Sequence, residues 1–351
     1  MLLYIHIPFC DSKCHYCSFN SYVDKFSLRE TYMKALLVQL QYELERFEVK
    51  AQEIETVFIG GGTPSTVAPE LYAPLFSLLK PYIKERAEIT SEANPNSATE
   101  MWLSGMKALG VNRISFGVQS FNDEKLKQLG RAHNSADARN ALLRVKELGF
   151  EHLSLDLIYG VYDDTKDLLH HDLNEAFSLP IDHLSAYALT IEEGTPFSNT
   201  PQVADEKLEL TQWFFDQITA KGFKQYEISN FGRYQSQHNI GYWKYKDYIG
   251  LGSGAVGFLK KRRFYPTQNV EAYISNPLQI EIEELSNEAI KTEKIFLGFR
   301  SYVGIDEKIL SAEELTRARL LVNEKKLDYK SNRFYNTDYL LSDEISLFIE
   351  N

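Results

Sequence analysis

Residues 2–17 read Leu2-Leu3-Tyr4-Ile5-His6-Ile7-Pro8-Phe9-Cys10-Asp11-Ser12-Lys13-Cys14-His15-Tyr16-Cys17. The β-branched and aromatic run at 2–8 predicts a short strand, closed by Pro8. Immediately after it come three thiols spaced C-x3-C-x2-C. A structural zinc site takes four ligands, usually as two pairs. This chain has only three cysteines, and His15 lies inside the loop beside Cys14, where its bite is poor. Three thiolates on one tight loop suit three corners of a cubane [4Fe–4S] cluster, leaving one iron free to bind a substrate or cofactor. The plain alternative is three thiols without a role, but clustered cysteines in an intracellular protein usually mean metal or catalysis.

Outward from this loop the first half alternates strands and helices. Strands are predicted at 2–8, 56–60, 87–93, 113–119, 152–158 and 183–189. Helices fall between them at 28–46, 69–83, 97–109, 122–129 with 135–148, and 165–178. Six such alternations argue for an α/β fold with a parallel sheet. Ligands of such folds gather at the C-terminal ends of the strands. There lie Cys10, the glycines Gly60–Gly62, Glu92, Gln119 and Asp156. Past residue 200 the pattern changes. An amphipathic helix is expected at 204–221, a strand at 224–230 and a glycine-rich stretch at 249–258. Residues 268–349 read as charged and helical, ending in strand-like pieces such as 333–340. The predicted modules are 1–200, an extension at 201–270 and a smaller, mainly helical domain at 271–351 with a small β element.

Composition narrows the function. The chain of 351 residues carries a net charge of −11, which disfavours sequence-independent nucleic-acid binding, since that rests on Lys and Arg neutralising phosphates. Three cysteines cannot pair completely, and all lie within eight residues, so a secreted disulfide framework is excluded. The start is too short for a membrane span and lacks a basic signal-peptide region, so a cytoplasmic protein is expected.

The polar residues at the strand ends form a coherent set. Gly60-Gly61-Gly62-Thr63-Pro64 follows the second strand, where glycines permit close backbone approach and offer N–H groups as a nest; a plain strand-to-helix turn is the alternative. Tyr4 and His6 share one face of the first strand, with core packing an equal reading for His6. Glu92, Gln119, Arg131 and Asp156 follow on successive strands. Buried carboxylates need donors, and ribose hydroxyls or an adenine amine would supply them.

The cysteine triplet after a first strand resembles the signature of the radical S-adenosylmethionine (SAM) superfamily. That resemblance implies a partial (β/α)6 barrel, a [4Fe–4S] cluster on Cys10, Cys14 and Cys17, and reductive cleavage of SAM to a 5′-deoxyadenosyl radical. The strings LYIHIPFC, GGGTPS, SEANP, SFGVQSF, LGRAH and LDLIYG, in that order, resemble the HemN/HemW family of anaerobic coproporphyrinogen III oxidases and heme chaperones. By that likeness Tyr4, Gly61, Gly62, Thr63, Glu92, Gln119, Arg131 and Asp156 contact SAM, and Ala188 and Val256 close its pocket.

Two departures from the oxidases stand out. Their motif continues to a fourth cysteine, where this chain has Phe19. They also carry an extension before the first strand, for which a strand starting at Leu2 leaves no room. His238-Asn239-Ile240-Gly241-Tyr242-Trp243 matches the HNxxYW element of the chaperone branch. On residues alone, a turn-capping His238 with Tyr242 and Trp243 in the core is the simpler reading. The resemblance instead implies heme contact, with imidazole a common heme ligand and aromatics able to pack on a macrocycle.

The implied function is heme carriage to apo-hemoproteins, with peripheral membrane contact, a homodimer and an electron donor such as flavodoxin or ferredoxin as expected associations. The alternative is oxidative decarboxylation in porphyrin biosynthesis; whether the chain is an enzyme stays open. A tRNA-modifying role is disfavoured by charge. The basic run Lys260–Arg263 reads as a hairpin edge or a partner for heme propionates, and His170-His171 as exposed helix surface.

Overall fold

The computed structural model describes residues 1–351. Its first half follows the predicted alternation. Strands β1 (Leu2–Ile7), β2 (Ile54–Gly61), β3 (Ile83–Ala93), β4 (Arg113–Gln119), β5 (His152–Tyr159) and β6 (His183–Ala188) pair in parallel in that order. Helices α1 (Arg29–Arg46), α2 (Pro69–Leu79), α3 (Glu100–Ala108), α4 (Asp123–Gln128), α5 (Ser135–Glu147) and α6 (Lys166–Ser178) connect them. This is the α/β partial barrel expected. The helix predicted at 69–83 ends at Leu79, because Pro81 cannot continue it and disfavours helical backbone before it.

Period-two alternation gives the strands two different faces. Leu3, Ile5, Ile7, Val57, Ile59, Ile114, Phe116, Leu155, Leu157 and Leu184 are buried in one large hydrophobic core that also takes in the helices. The alternate set is Tyr4, His6, Thr56, Phe58, Glu88, Thr90, Glu92, Arg113, Asp156, His183 and Ser185. That face turns to the barrel lumen. Its lower half is a hydrogen-bonded plug. Arg113 Nη2 reaches His183 Nδ1 at 3.4 Å, Ser154 Oγ meets the same nitrogen at 2.7 Å, and His183 Nε2 meets the Tyr226 hydroxyl at 2.7 Å.

After β6 the sheet grows at both edges. Helix α7 (Leu208–Ala220) leads to β7 (Lys224–Gln225) and β8 (Asn230–Gly232), an antiparallel pair beside β6. The single strand expected at 224–230 is thus split, with Glu227 accepting from Ser229 N at 3.0 Å across the turn. Helix α8 (Gln237–Trp243) returns the chain to the far edge. There β9 (Tyr248–Leu251) pairs in parallel with β1, followed by the antiparallel β10 (Gly257–Leu259), β11 (Arg262–Pro266), helix α9 (Val270–Ser275) and β12 (Ile280–Glu284). The glycine-rich stretch therefore supplies the strand that abuts β1.

The last segment builds its own small core from Ile295, Phe299, Leu321, Phe334, Ile345 and neighbours. It contains α10 (Asn287–Phe299), β13 (Ile305–Asp306), α11 (Ala312–Asn323), β14 (Leu327–Lys330), β15 (Arg333–Asn336) and α12 (Ser342–Glu350). The three strands form a separate antiparallel sheet, with β15 in the middle. The strand-like reading holds for 333–336 only. Asp338 then caps a short turn by accepting from Leu340 N at 3.0 Å, and the chain ends in helix.

Candidate functional site

The cysteine loop leaves β1 and is anchored at both ends. Cys10 N donates to Tyr22 O at 3.0 Å, Tyr22 N donates to Pro8 O at 2.8 Å, and Lys13 Nζ reaches Phe19 O at 2.8 Å. All three thiols are free. Thr63 Oγ1 donates to Cys10 Sγ at 3.4 Å, and Arg131 Nη1 donates to Cys14 Sγ at 3.1 Å. These donors steady two of the three sulfurs, while burial pushes the Cys10 and Cys17 thiols up. Iron must therefore displace protons to bind here. No trio of His, Cys, Asp or Glu side chains converges as a single metal ion would require. A cubane has no such requirement, because each thiolate meets a different iron. His15 Nδ1 donates to Gln128 O at 2.9 Å, and its ring packs edge to face on Phe197 at 5.6 Å.

The Gly60–Pro64 loop is stitched to the cysteine loop by backbone. Gly62 N donates to Ile7 O and Thr63 N to Phe9 O, each at 2.8 Å. A Cβ on Gly62 would meet those same carbonyls at 2.8 and 2.9 Å. Gly61 has φ +112°, and a Cβ there would strike His6 at 2.4 Å. Gly61 N donates to Glu92 Oε2 at 3.1 Å. The N–H groups at 61–63 are thus all engaged within the protein, and the expected nest of free donors is absent. What the loop has left for a ligand is carbonyl oxygen, which suits an amino group.

Tyr4 and His6 face the lumen together. His6 Nε2 donates to Asn20 O at 2.8 Å, so Nδ1 is the acceptor for the Tyr4 hydroxyl at 3.0 Å. Burial holds the His6 pKa down, keeping it neutral. Glu92 is pushed up to about 7 by burial and then by the nearby Asp156 charge. Burial likewise lifts Asp156 to about 6, against the Ser185 hydroxyl, Arg113 and Arg131. Two carboxyls in one lumen are each short of donors.

Gln119 closes β4 at a register break, with φ +72°. Its Oε1 is buried without a hydrogen-bond partner. Strained backbone and an orphaned acceptor at a strand end mark a place for a ligand donor. Arg131 Nη2 donates to Asn94 Oδ1 at 2.8 Å and Asn94 Nδ2 donates to Thr63 Oγ1 at 3.2 Å. Asn94 is thus a link the residue-by-residue reading missed, although the string SEANP contains it. Ala188 ends β6 at the same rim. These residues fit a ligand that carries an amino group and hydroxyl donors, and they can hold a cluster beside it.

The predicted heme residues lie elsewhere. His238 is 1% exposed on α8, and burial pushes its pKa down to about 3. Nδ1 meets Thr56 Oγ1 at 2.7 Å and Nε2 meets the Tyr242 hydroxyl at 3.0 Å. Glu88 accepts from Gln237 N at 2.9 Å and His238 N at 3.0 Å, fixing the helix start. Both imidazole nitrogens are occupied. Trp243 Nε1 is buried without a partner. Val256 lines a cavity together with Tyr242. His170 and His171 are exposed, as read, while Asp172 beside them is buried and accepts from Ser120 Oγ at 2.9 Å.

The family described as "Radical SAM superfamily" matches residues 4–176. The chain is 34% identical over 322 residues to "Heme chaperone HemW" of Bacillus subtilis (strain 168), covering 87% of this chain and 84% of that protein. It is 41% identical over 268 residues to "Heme chaperone HemW" of Escherichia coli (strain K12), covering 73% and 69%. Among solved structures, the Escherichia coli radical SAM enzyme coproporphyrinogen III oxidase (HemN) superposes with a TM-score of 0.84. It is 21% identical, with 100% of this chain and 90% of that chain covered.

Proposed function

The chain belongs to the HemW family of heme chaperones within the radical SAM superfamily, and on that premise we propose that it binds heme and passes it to apo-hemoproteins. The observation that carries this reading is the match to a protein so named over 84% of that protein's length. We further propose that Cys10, Cys14 and Cys17 hold a [4Fe–4S] cluster. Tyr4, Gly61, Gly62, Thr63, Glu92, Gln119, Arg131, Asp156 and Ala188 would form the SAM pocket beside it, with Val256 nearby. Bound together, the cluster and SAM supply one-electron chemistry. Arg131 holds the Cys14 sulfur, Thr63 holds that of Cys10, and Glu92 and Asp156 accept donors from the ligand. His238, Tyr242 and Trp243 are assigned to the heme region. The modules at 1–200, 201–270 and 271–351 divide these tasks. No helix is long and apolar enough to cross a membrane, so contact with one would be peripheral.

Oxidative decarboxylation of a porphyrinogen is the lesser reading. The fourth motif cysteine is replaced by Phe19, whose side chain is 66% exposed beside the cluster loop. One preparation tests both. Anaerobically reconstituted protein should take up hemin and release it to an apo-globin. It should form no protoporphyrinogen from coproporphyrinogen III with SAM and a reductant. Failure to bind hemin, or formation of that product, would overturn the chaperone reading.

A further inference from the structure

Beside α8, on the same face of the sheet as Tyr4 and His6, is a cavity of about 470 Å³, a usual size for a small-molecule site. Its walls come from α8, β9, β10, β11 and α10. Tyr242 and Tyr248 meet edge to face at 4.8 Å, and Tyr245 meets Phe258 likewise at 5.0 Å. Phe296 of α10 adds a further apolar wall. Such a lining suits a flat, aromatic ligand.

The charged residues of the lining are Lys246, Arg263 and Glu293, a cationic balance within a chain of net charge −11. Arg263 Nη2 pairs with Glu293 Oε1 at 2.6 Å, and Lys246 Nζ with Glu55 Oε2 at 2.6 Å. A ligand carboxylate would compete with Glu293 and Glu55 for these two cations, and each displaced carboxylate is partly exposed, so solvent takes up its charge.

Three phenols line the cavity, and two are engaged. Tyr242 bonds His238, and Tyr245 donates to Glu293. The Tyr248 hydroxyl faces the Arg263 guanidinium, with no carbonyl or carboxylate accepting its proton. Burial raises its pKa, and the Arg263 guanidinium works against that rise. Burial prevails, so the phenol is neutral without a ligand and gives up its proton on ligation, since tyrosine binds heme iron as phenolate.

We propose that this cavity receives the carried heme, with Tyr248 as the ligand to ferric iron and Lys246 and Arg263 facing the propionates. The assignment rests on the heme-chaperone reading and deepens it. Ligation forms one phenolate oxygen–iron bond in place of the iron's axial water, which leaves to solvent; the phenol proton passes to water, and no electron moves. His238 is then part of the wall, holding Tyr242 in place.

The test titrates the full, anaerobically reconstituted chain with hemin and, separately, with iron-free protoporphyrin IX. Wild type should give the absorption and electron paramagnetic resonance signature of ferric phenolate heme. Tyr248→Phe should abolish that signature and weaken hemin at least about tenfold, while iron-free porphyrin changes less than about threefold. Arg263→Ala should weaken both ligands. Circular dichroism of each variant checks the fold. An unchanged hemin spectrum and affinity in Tyr248→Phe would overturn the ligand assignment while leaving the chaperone reading intact. Wild-type protein that takes up no hemin would overturn that reading itself.

Discussion

The lumen and the aromatic cavity share one face of the sheet, with α8 packed between them, yet they are built from opposite materials. The lumen ends in carboxyls, an amide and a guanidinium, several short of partners. The cavity is walled by rings, with its charges already paired at the edge. Between them runs a continuous series of ring contacts: Tyr4 to Phe58 at 6.2 Å, Phe58 to His238 at 5.1 Å, His238 to Tyr242 at 4.8 Å and Tyr242 to Tyr248 at 4.8 Å. A polar site with unmet hydrogen bonds selects a ligand by its donors. A ringed site with paired edge charges selects by flatness and area. That difference suits a small, polar cofactor on one side and a large, apolar cargo on the other, with α8 as the shared partition.

The sharpest way to separate the two regions is to remove one. Cys14→Ser takes away one of three proposed cluster ligands. Anaerobic reconstitution should fall from about four irons per chain to nearly none by iron assay. Hemin affinity should stay within about twofold of wild type if the cavity is a separate site. A joint loss would mean that the regions form one site.

The partition itself is the next target. His238→Ala leaves the Thr56 and Tyr242 hydroxyls without their buried partner and opens a void beside Phe58. The expected cost is about 2–4 kcal/mol in urea unfolding. Hemin retention should drop with it, through a loosened Tyr242. A variant as stable as wild type would show that α8 does not depend on its histidine.

The lumen was largely legible in the sequence, and the cavity was not. Cys10, Gly61, Glu92, Gln119 and Asp156 each follow a strand whose period and length are visible locally, so their convergence follows from a parallel sheet alone. The cavity needs contacts that no local pattern carries. Its walls come from residues 242–263 and from Phe296 on α10, and the chain reaches them only because β9 pairs with β1. Strand β9 has only four residues and runs into a stretch with four glycines between 249 and 258, too short to announce that pairing by its period. His238 was visible as a motif residue, but its burial depends on Thr56, 182 positions away. Phe19 was legible as a missing cysteine, and its exposure agrees with a position that no longer has a ligand to hold inward.

A smaller effect tests whether the lumen is an acid-rich site without its ligand. Glu92 at about 7 and Asp156 at about 6 lie above their ordinary values. The folded state therefore binds more protons than the unfolded chain across this range. Their contribution to stability is fully present below about pH 4 and declines as pH rises through 7. The urea midpoint should fall between pH 5 and pH 8. Glu92→Gln should flatten that decline, and no variant of the cavity should. SAM affinity should rise over the same window, because carboxylates accept hydroxyl donors better than carboxylic acids do. An equally steep decline in Glu92→Gln would assign the pH dependence to other groups.

The smallest effect distinguishes cavity from surface within one basic run. Lys260-Lys261-Arg262-Arg263 is a single block of charge in the sequence. In the fold it turns the corner between β10 and β11, and its members part company. Lys260, Lys261 and Arg262 are exposed, whereas Arg263 turns inward to Glu293. An exposed turn lysine is worth little, so Lys260→Ala should change stability by less than about 0.5 kcal/mol. Hemin affinity should move by less than about twofold, because solvent and salt screen its charge. Arg263→Ala should weaken hemin clearly more in the same titration. Equal losses from the two would mean that the run acts as a diffuse field, drawing an anion to the surface without fixing its position.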